Sequence, residues 1–98
     1  MPSFTYNVMQ DLYALGEAHE EAGNDFAKME AGTFADYADN VSKQLNDGTP
    51  RTADEYKVEF VKRMQSRVEA AVKYNDFPEL EPFHKATAEY LNTLLPES

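Results

Sequence analysis

Few side chains in this sequence can do chemistry. Its imidazoles are His19 and His84, and it has no cysteine. That removes thiolate nucleophiles, disulfides and thiolate zinc sites together. His19 interrupts an apolar stripe at helical spacing, and Glu30 interrupts another, between Phe26, Phe34 and Tyr37. The two positions are nearly equidistant from a turn at Gly23-Asn24, so an antiparallel hairpin would bring them together. Such a pair could serve as a buried acid–base or metal site. One carboxylate with one imidazole more often makes a hydrogen-bonded pair that fixes helix register, and that is the reading adopted. Glu81-Pro82-Phe83-His84 has the Glu-x-x-His spacing that carboxylate-bridged di-iron bundles use twice, together with two further glutamates. It occurs once here, and Pro82 sets Glu81 at a helix edge, where capping is the expected role. His-x-x-x-His, the Asp-x-Asp-x-Asp-Gly loop and glycine-rich phosphate loops are absent from the sequence. No catalytic residue, metal or cofactor is therefore assigned, and the chain is not expected to be an enzyme.

Carboxylates are the abundant functional group. The sequence holds 18 acids against 9 bases, a formal net charge of −9. Residues 1–48 carry nine of the acids and two bases, Lys28 and Lys43, for a net of −7; residues 49–98 carry −2. Opposite the apolar stripe of the first helix lie Tyr6, Gln10, Tyr13, Glu17, Glu20 and Glu21, and Asp25, Asp36 and Asp39 fall on the polar side of the second. Tyrosine supplies large contact area and a polar tip at low entropic cost, which suits it to binding hot spots. Carboxylates among such tyrosines steer a basic partner and select it. The simpler account is a solvated helix face that maintains solubility.

Four helical regions position these residues. Phe4, Val8, Leu12, Leu15, Ala18 and Ala22 share one face of a helix over 4–22, with Ser3 as N-cap and Gly23 at its end. A second region covers 25–46, with Phe26, Phe34, Tyr37, Val41 and Leu45 on one side. Gly32-Thr33 interrupts it; Thr33 with Asp36 has the spacing of a capping box, so a break or kink is expected at Gly32. Asn46-Asp47-Gly48-Thr49-Pro50 is a loop. Thr52 and Glu55 then cap a third helix over about 53–74, with Tyr56, Phe60, Val61, Met64, Val68, Ala71 and Val72 inward. Its outer face offers the pairs Glu59–Arg63 and Glu69–Lys73 at spacing four. Pro82 opens a fourth helix over 82–95, with Phe83, Thr87, Tyr90, Leu91, Leu94 and Leu95 on its apolar face, and Pro96 ends it. No segment alternates with period two. The expected fold is all-α, a single domain over 1–98 forming a small up-and-down bundle of about four helices.

With 42% hydrophobic and 12% aromatic residues, the chain can bury a core despite its charge. Met1-Pro2-Ser3-Phe4 has no basic region and no apolar run, and no stretch is long and apolar enough to span a membrane, so the expected location is the cytoplasm. The charge disfavours direct contact with nucleic acid or anionic membranes. The bases of the third helix, Lys57, Lys62, Arg63, Arg67 and Lys73, lie among Asp54, Glu55, Glu59 and Glu69, so internal ion pairs or contact with a second copy is the expectation there. The function expected is that of a small acidic interaction module that binds and blocks a basic surface on a partner protein, in its extreme form a nucleic-acid-binding surface. Size and charge place it beside phage-type inhibitors and DNA mimics such as anti-CRISPR proteins. The alternatives are a structural homo-oligomer, or a metal-binding bundle using Glu30, His19, Glu81 and His84.

Overall fold

The computed structural model describes residues 3–75 and 77–96. Four helices follow one another: α1 (Phe4–Glu21), α2 (Ala27–Leu45), α3 (Ala53–Lys73) and α4 (Glu81–Thr93), with one 3-10 turn, Pro78–Leu80, leading into α4. Among the described residues there is no strand. Each helix packs on its sequence neighbours, and α4 closes back on α1, giving the expected all-α bundle.

Local chemistry sets the helix ends. The Ser3 hydroxyl accepts the Tyr6 N–H at 3.0 Å and starts α1. At the other end Gly23 adopts φ +106°. Its N–H reaches Glu20 O at 3.0 Å, while Asn24 N–H reaches His19 O at 2.9 Å. This pair of bonds satisfies the last carbonyls of α1 and turns the chain, and it requires the left-handed residue that glycine supplies. Thr52 and Glu55 form a reciprocal capping box on α3. The loop before it is clamped by Arg51, whose guanidinium donates to Leu45 O at 2.7 Å and pairs with Asp47 and Glu59. The Arg51 side chain and the Thr49 N–H hold the Asp47 carboxyl well below the usual carboxylate range.

The expected break at Gly32 does not occur: α2 is continuous from Ala27 to Leu45. Thr33 starts no new helix; its hydroxyl donates back to Met29 O at 3.3 Å. Packing on α1 explains the continuity. Gly16 of α1 lies so close to α2 that a Cβ there would meet Ala31 Cβ at 2.4 Å. Ala27, Ala31, Ala35 and Ala38 form a row of small buried residues on α2. This close backbone approach holds the helix through Gly32 and offsets the roughly 1 kcal/mol that a mid-helix glycine costs.

Val8, Leu12, Phe34, Val41, Phe60, Val61, Met64, Phe83 and Leu91 are buried at the centre. Several positions depart from the sequence pattern. Ala18, Ala22 and Val72, expected on apolar stripes, are exposed. Leu94 and Leu95 lie beyond the end of α4, and Leu95 is exposed. Neither spacing-four pair of α3 forms: Arg51 takes Glu59 at 3.0 Å, Arg63 donates to Gln44 Oε1 at 2.9 Å, and the Lys73 ammonium lies over the Tyr74 ring. Polar ties join the helices laterally. Tyr56 OH donates to Ser42 Oγ at 3.0 Å, and Tyr90 OH donates to Asp11 at 2.6 Å. Burial and the Asp11 carboxylate push the Tyr90 phenol well above its ordinary value.

Candidate functional site

Among the described residues, the ionisable side chain buried most deeply is His84. It is 2% exposed, and its Nε2 lies 2.6 Å from Glu30 Oε2. The expected His19–Glu30 pair is thus replaced by Glu30–His84. Helix rotation gives the reason. With α2 unbroken, Ala27, Ala31 and Ala35 turn toward α1, and Glu30, one residue before Ala31, turns about 100° away from that seam, where α4 brings His84 to it. His19 packs edge-on against Phe83, with ring centroids 5.7 Å apart. His84 has Phe34 and Phe83 as aromatic neighbours. Its Nδ1 is buried and has no hydrogen-bond partner.

Glu30 and His84 make a two-residue polar pair in an otherwise apolar layer. Glu81, at the start of α4, is exposed and does not join them. Among the described residues, no three His, Asp or Glu side chains gather closely enough to hold a metal ion. Among the same residues, no nucleophile makes a hydrogen bond to either member of the pair. What the arrangement can do chemically is fix the register of α4 on α2, since a buried imidazole accepts one helix rotation and penalises others.

The residues singled out for partner binding all lie toward the outside. Tyr6 is 52% exposed and Tyr13 36%. Gln10, Glu17, Glu20, Glu21, Asp25 and Asp36 are exposed, and Asp39 is half-buried. Tyr6, Gln10, Tyr13 and Glu17 follow at spacings of four, three and four, which puts them on one stripe of α1. The Tyr13 ring leans to the α2 side, 4.0 Å from where a Gly32 Cβ would stand. Asp36 is four residues, one helical turn, beyond Gly32. The Asp39 carboxylate pairs with Lys43 at 3.0 Å, so its charge is partly balanced. Exposed Lys28, one turn before Gly32, also stands on this side.

No family model, curated protein or solved structure matches this chain.

The sequence pattern passed over a second surface. Met29, Val72, Tyr74 and Phe77 are large apolar side chains turned to solvent. Three of them, Met29, Tyr74 and Phe77, line one groove between the start of α2 and the end of α3. The signal was present as residues off the stripe: Met29 falls on the outer side of α2, and Tyr74 and Phe77 sit in a connection where turn residues predominate.

Proposed function

We propose that this chain is an acidic protein-interaction module that binds a basic surface on another protein and blocks it by occupancy, without chemistry of its own. Where that surface normally takes a nucleic acid, the module acts as an inhibitor by competing for it, in the manner of a DNA mimic. The observation that carries the reading is the outer stripe of α1. Tyr6 and Tyr13 are open to solvent there, with Glu17, Glu20 and Glu21 continuing the line. Among the described residues, the hydroxyls of Tyr56 and Tyr90 are engaged by Ser42 and Asp11 on neighbouring helices, while those of Tyr6 and Tyr13 make no hydrogen bond to the bundle. Exposed aromatic rings with unengaged polar tips, flanked by carboxylates, are suited to a basic partner: the rings supply buried area and the charges steer the encounter.

The test compares the wild-type chain with the reversal variant Glu17→Lys, Glu20→Lys, Glu21→Lys. Tagged protein is mixed with lysate of its native host, eluted with rising salt, and the retained proteins are identified and then titrated individually. The wild type retains a basic protein that moderate salt releases and that DNA displaces. The reversal variant keeps its helical content and loses affinity by more than tenfold. Equal affinity of the two chains for the retained protein would sink this reading. Recovery of the chain alone would favour self-assembly.

A further inference from the structure

At the end of the bundle where α2 begins and α3 ends, an open groove of about 440 Å³ runs between the helices. Phe26, Met29, Tyr74 and Phe77 supply apolar walls, and among the described residues Glu30 and Arg67 are its charged groups. The Phe26 and Phe77 ring centroids are 4.8 Å apart, so one wall is a continuous aromatic surface. Met29 is 67% exposed and Tyr74 72%. Apolar side chains gathered in this way on a strongly charged molecule mark a contact surface.

The charges in the groove narrow the occupant. Glu30 has one carboxylate oxygen fixed by His84, at 2.6 Å. Its other oxygen, Oε1, makes no hydrogen bond among the described residues, and the residue lines the groove. The Arg67 guanidinium lies over the rings of Phe34 and Tyr37, at 5.7 and 6.0 Å, and makes no ion pair with Glu30. Among the described residues the groove therefore presents apolar walls, one negatively charged acceptor whose geometry a buried imidazole has fixed, and one guanidinium held against the rings of Phe34 and Tyr37. Asp25 and Glu79 stand exposed nearby, where the Asn24 side chain ties the α1–α2 turn to Glu79 O at 2.8 Å. A second copy of the chain would bring a charge of −9 toward a charge of −9, which opposes self-association here.

We propose that this groove seats a basic amphipathic segment of a partner protein. The apolar side chains of the segment cover Met29, Tyr74 and Phe77, and one lysine or arginine reaches Glu30 Oε1 in a charge-assisted hydrogen bond. The inference rests on the reading of a basic partner given above, but it assigns the anchoring contact to a different surface. The α1 stripe steers the partner and the groove holds it.

The test is an amide NMR titration of the full chain with a synthetic amphipathic leucine–lysine peptide, with a leucine–glutamate peptide of the same apolar pattern as control. Expected are shifts centred on Met29, Glu30, Tyr74 and Phe77 with the basic peptide and none with the acidic one. Glu30→Gln keeps a hydrogen-bonding partner for His84 and removes the charge; Tyr74→Ala removes an exposed ring. Each weakens binding by roughly tenfold. The Glu17, Glu20, Glu21 reversal variant keeps its shifts at the same groove residues. Shifts confined to Tyr6, Gln10, Tyr13 and Glu17 would overturn the groove assignment and leave the α1 stripe as the binding surface. Broadening of the groove residues with protein concentration alone would overturn it in favour of a second copy. Absence of shifts with either peptide would overturn it outright, while the α1 stripe would still stand or fall by the reversal variant.

Discussion

Glu30 and His84 depend on each other because neither has another hydrogen-bond partner among the described residues. Removing the carboxylate leaves both nitrogens of a 2% exposed imidazole without a hydrogen bond. Leaving a buried polar group unpaired costs about 1–3 kcal/mol, whereas replacing both partners by apolar groups of similar shape is close to neutral. Glu30→Ala is therefore expected to lower the unfolding free energy by about 1–3 kcal/mol. The pair Glu30→Met with His84→Phe should recover most of that loss, since Phe34 and Phe83 already surround the imidazole with rings. Urea denaturation of the single and double variants checks this. Equal losses in both would mean that the pair is worth more than its burial implies. The sequence marked Glu30 as out of pattern but assigned it the wrong imidazole. Both candidates sit at helical spacing on apolar stripes, and only the rotation of α2 about its axis chooses between them. That rotation is set by Gly16 against Ala31, a contact between distant residues of small size that leaves no periodic signal.

At the level of elements, the four helices and their order were legible because each carries its own start and stop chemistry: Ser3, Gly23, the Thr52–Glu55 box and Pro82. Continuity of α2 was not legible. Gly32-Thr33 followed by Asp36 has the composition of a helix start, and local composition cannot register how closely α1 approaches. The two helical glycines should answer substitution in opposite ways. A methyl at Gly16 would meet Ala31 Cβ at 2.4 Å and Ala27 O at 3.1 Å. Gly16→Ala must therefore force α1 and α2 apart, and overpacking of this kind costs about 1–3 kcal/mol. At Gly32 the nearest atom is on the Tyr13 ring at 4.0 Å, an ordinary contact, and the backbone is already helical. Gly32→Ala should stabilise the protein by about 0.5–1 kcal/mol through helix propensity. Thermal unfolding of both variants decides it; a destabilised Gly32→Ala would mean that α2 does bend there in solution.

Across the whole molecule the balance of charge dominates. Nine unbalanced negative charges on a body with a radius of gyration of 13.6 Å repel one another in the folded state, and the effect is greatest when the Debye length, about 10 Å at 0.1 M salt, approaches the size of the protein. Glu17, Glu20 and Glu21 contribute to this repulsion, and no ion pair within 4.0 Å offsets them among the described residues. A face that held the bundle together would carry ion-pair partners; among the described residues these three carboxylates have none, so the fold does not depend on their sign. Reversing the three to Lys moves the formal charge from −9 to −3. The variant should therefore unfold at the same temperature as the wild type or higher in low salt, and its melting temperature should rise less on adding salt. Melting curves at low and at high ionic strength give both quantities. A variant that melts well below the wild type at both would place these carboxylates in the fold's own stabilisation, and loss of partner binding in that variant would then report unfolding instead of a lost contact. Equal or greater stability with lost binding separates the two, because the same substitutions would have relieved strain on the bundle while removing what the partner recognises.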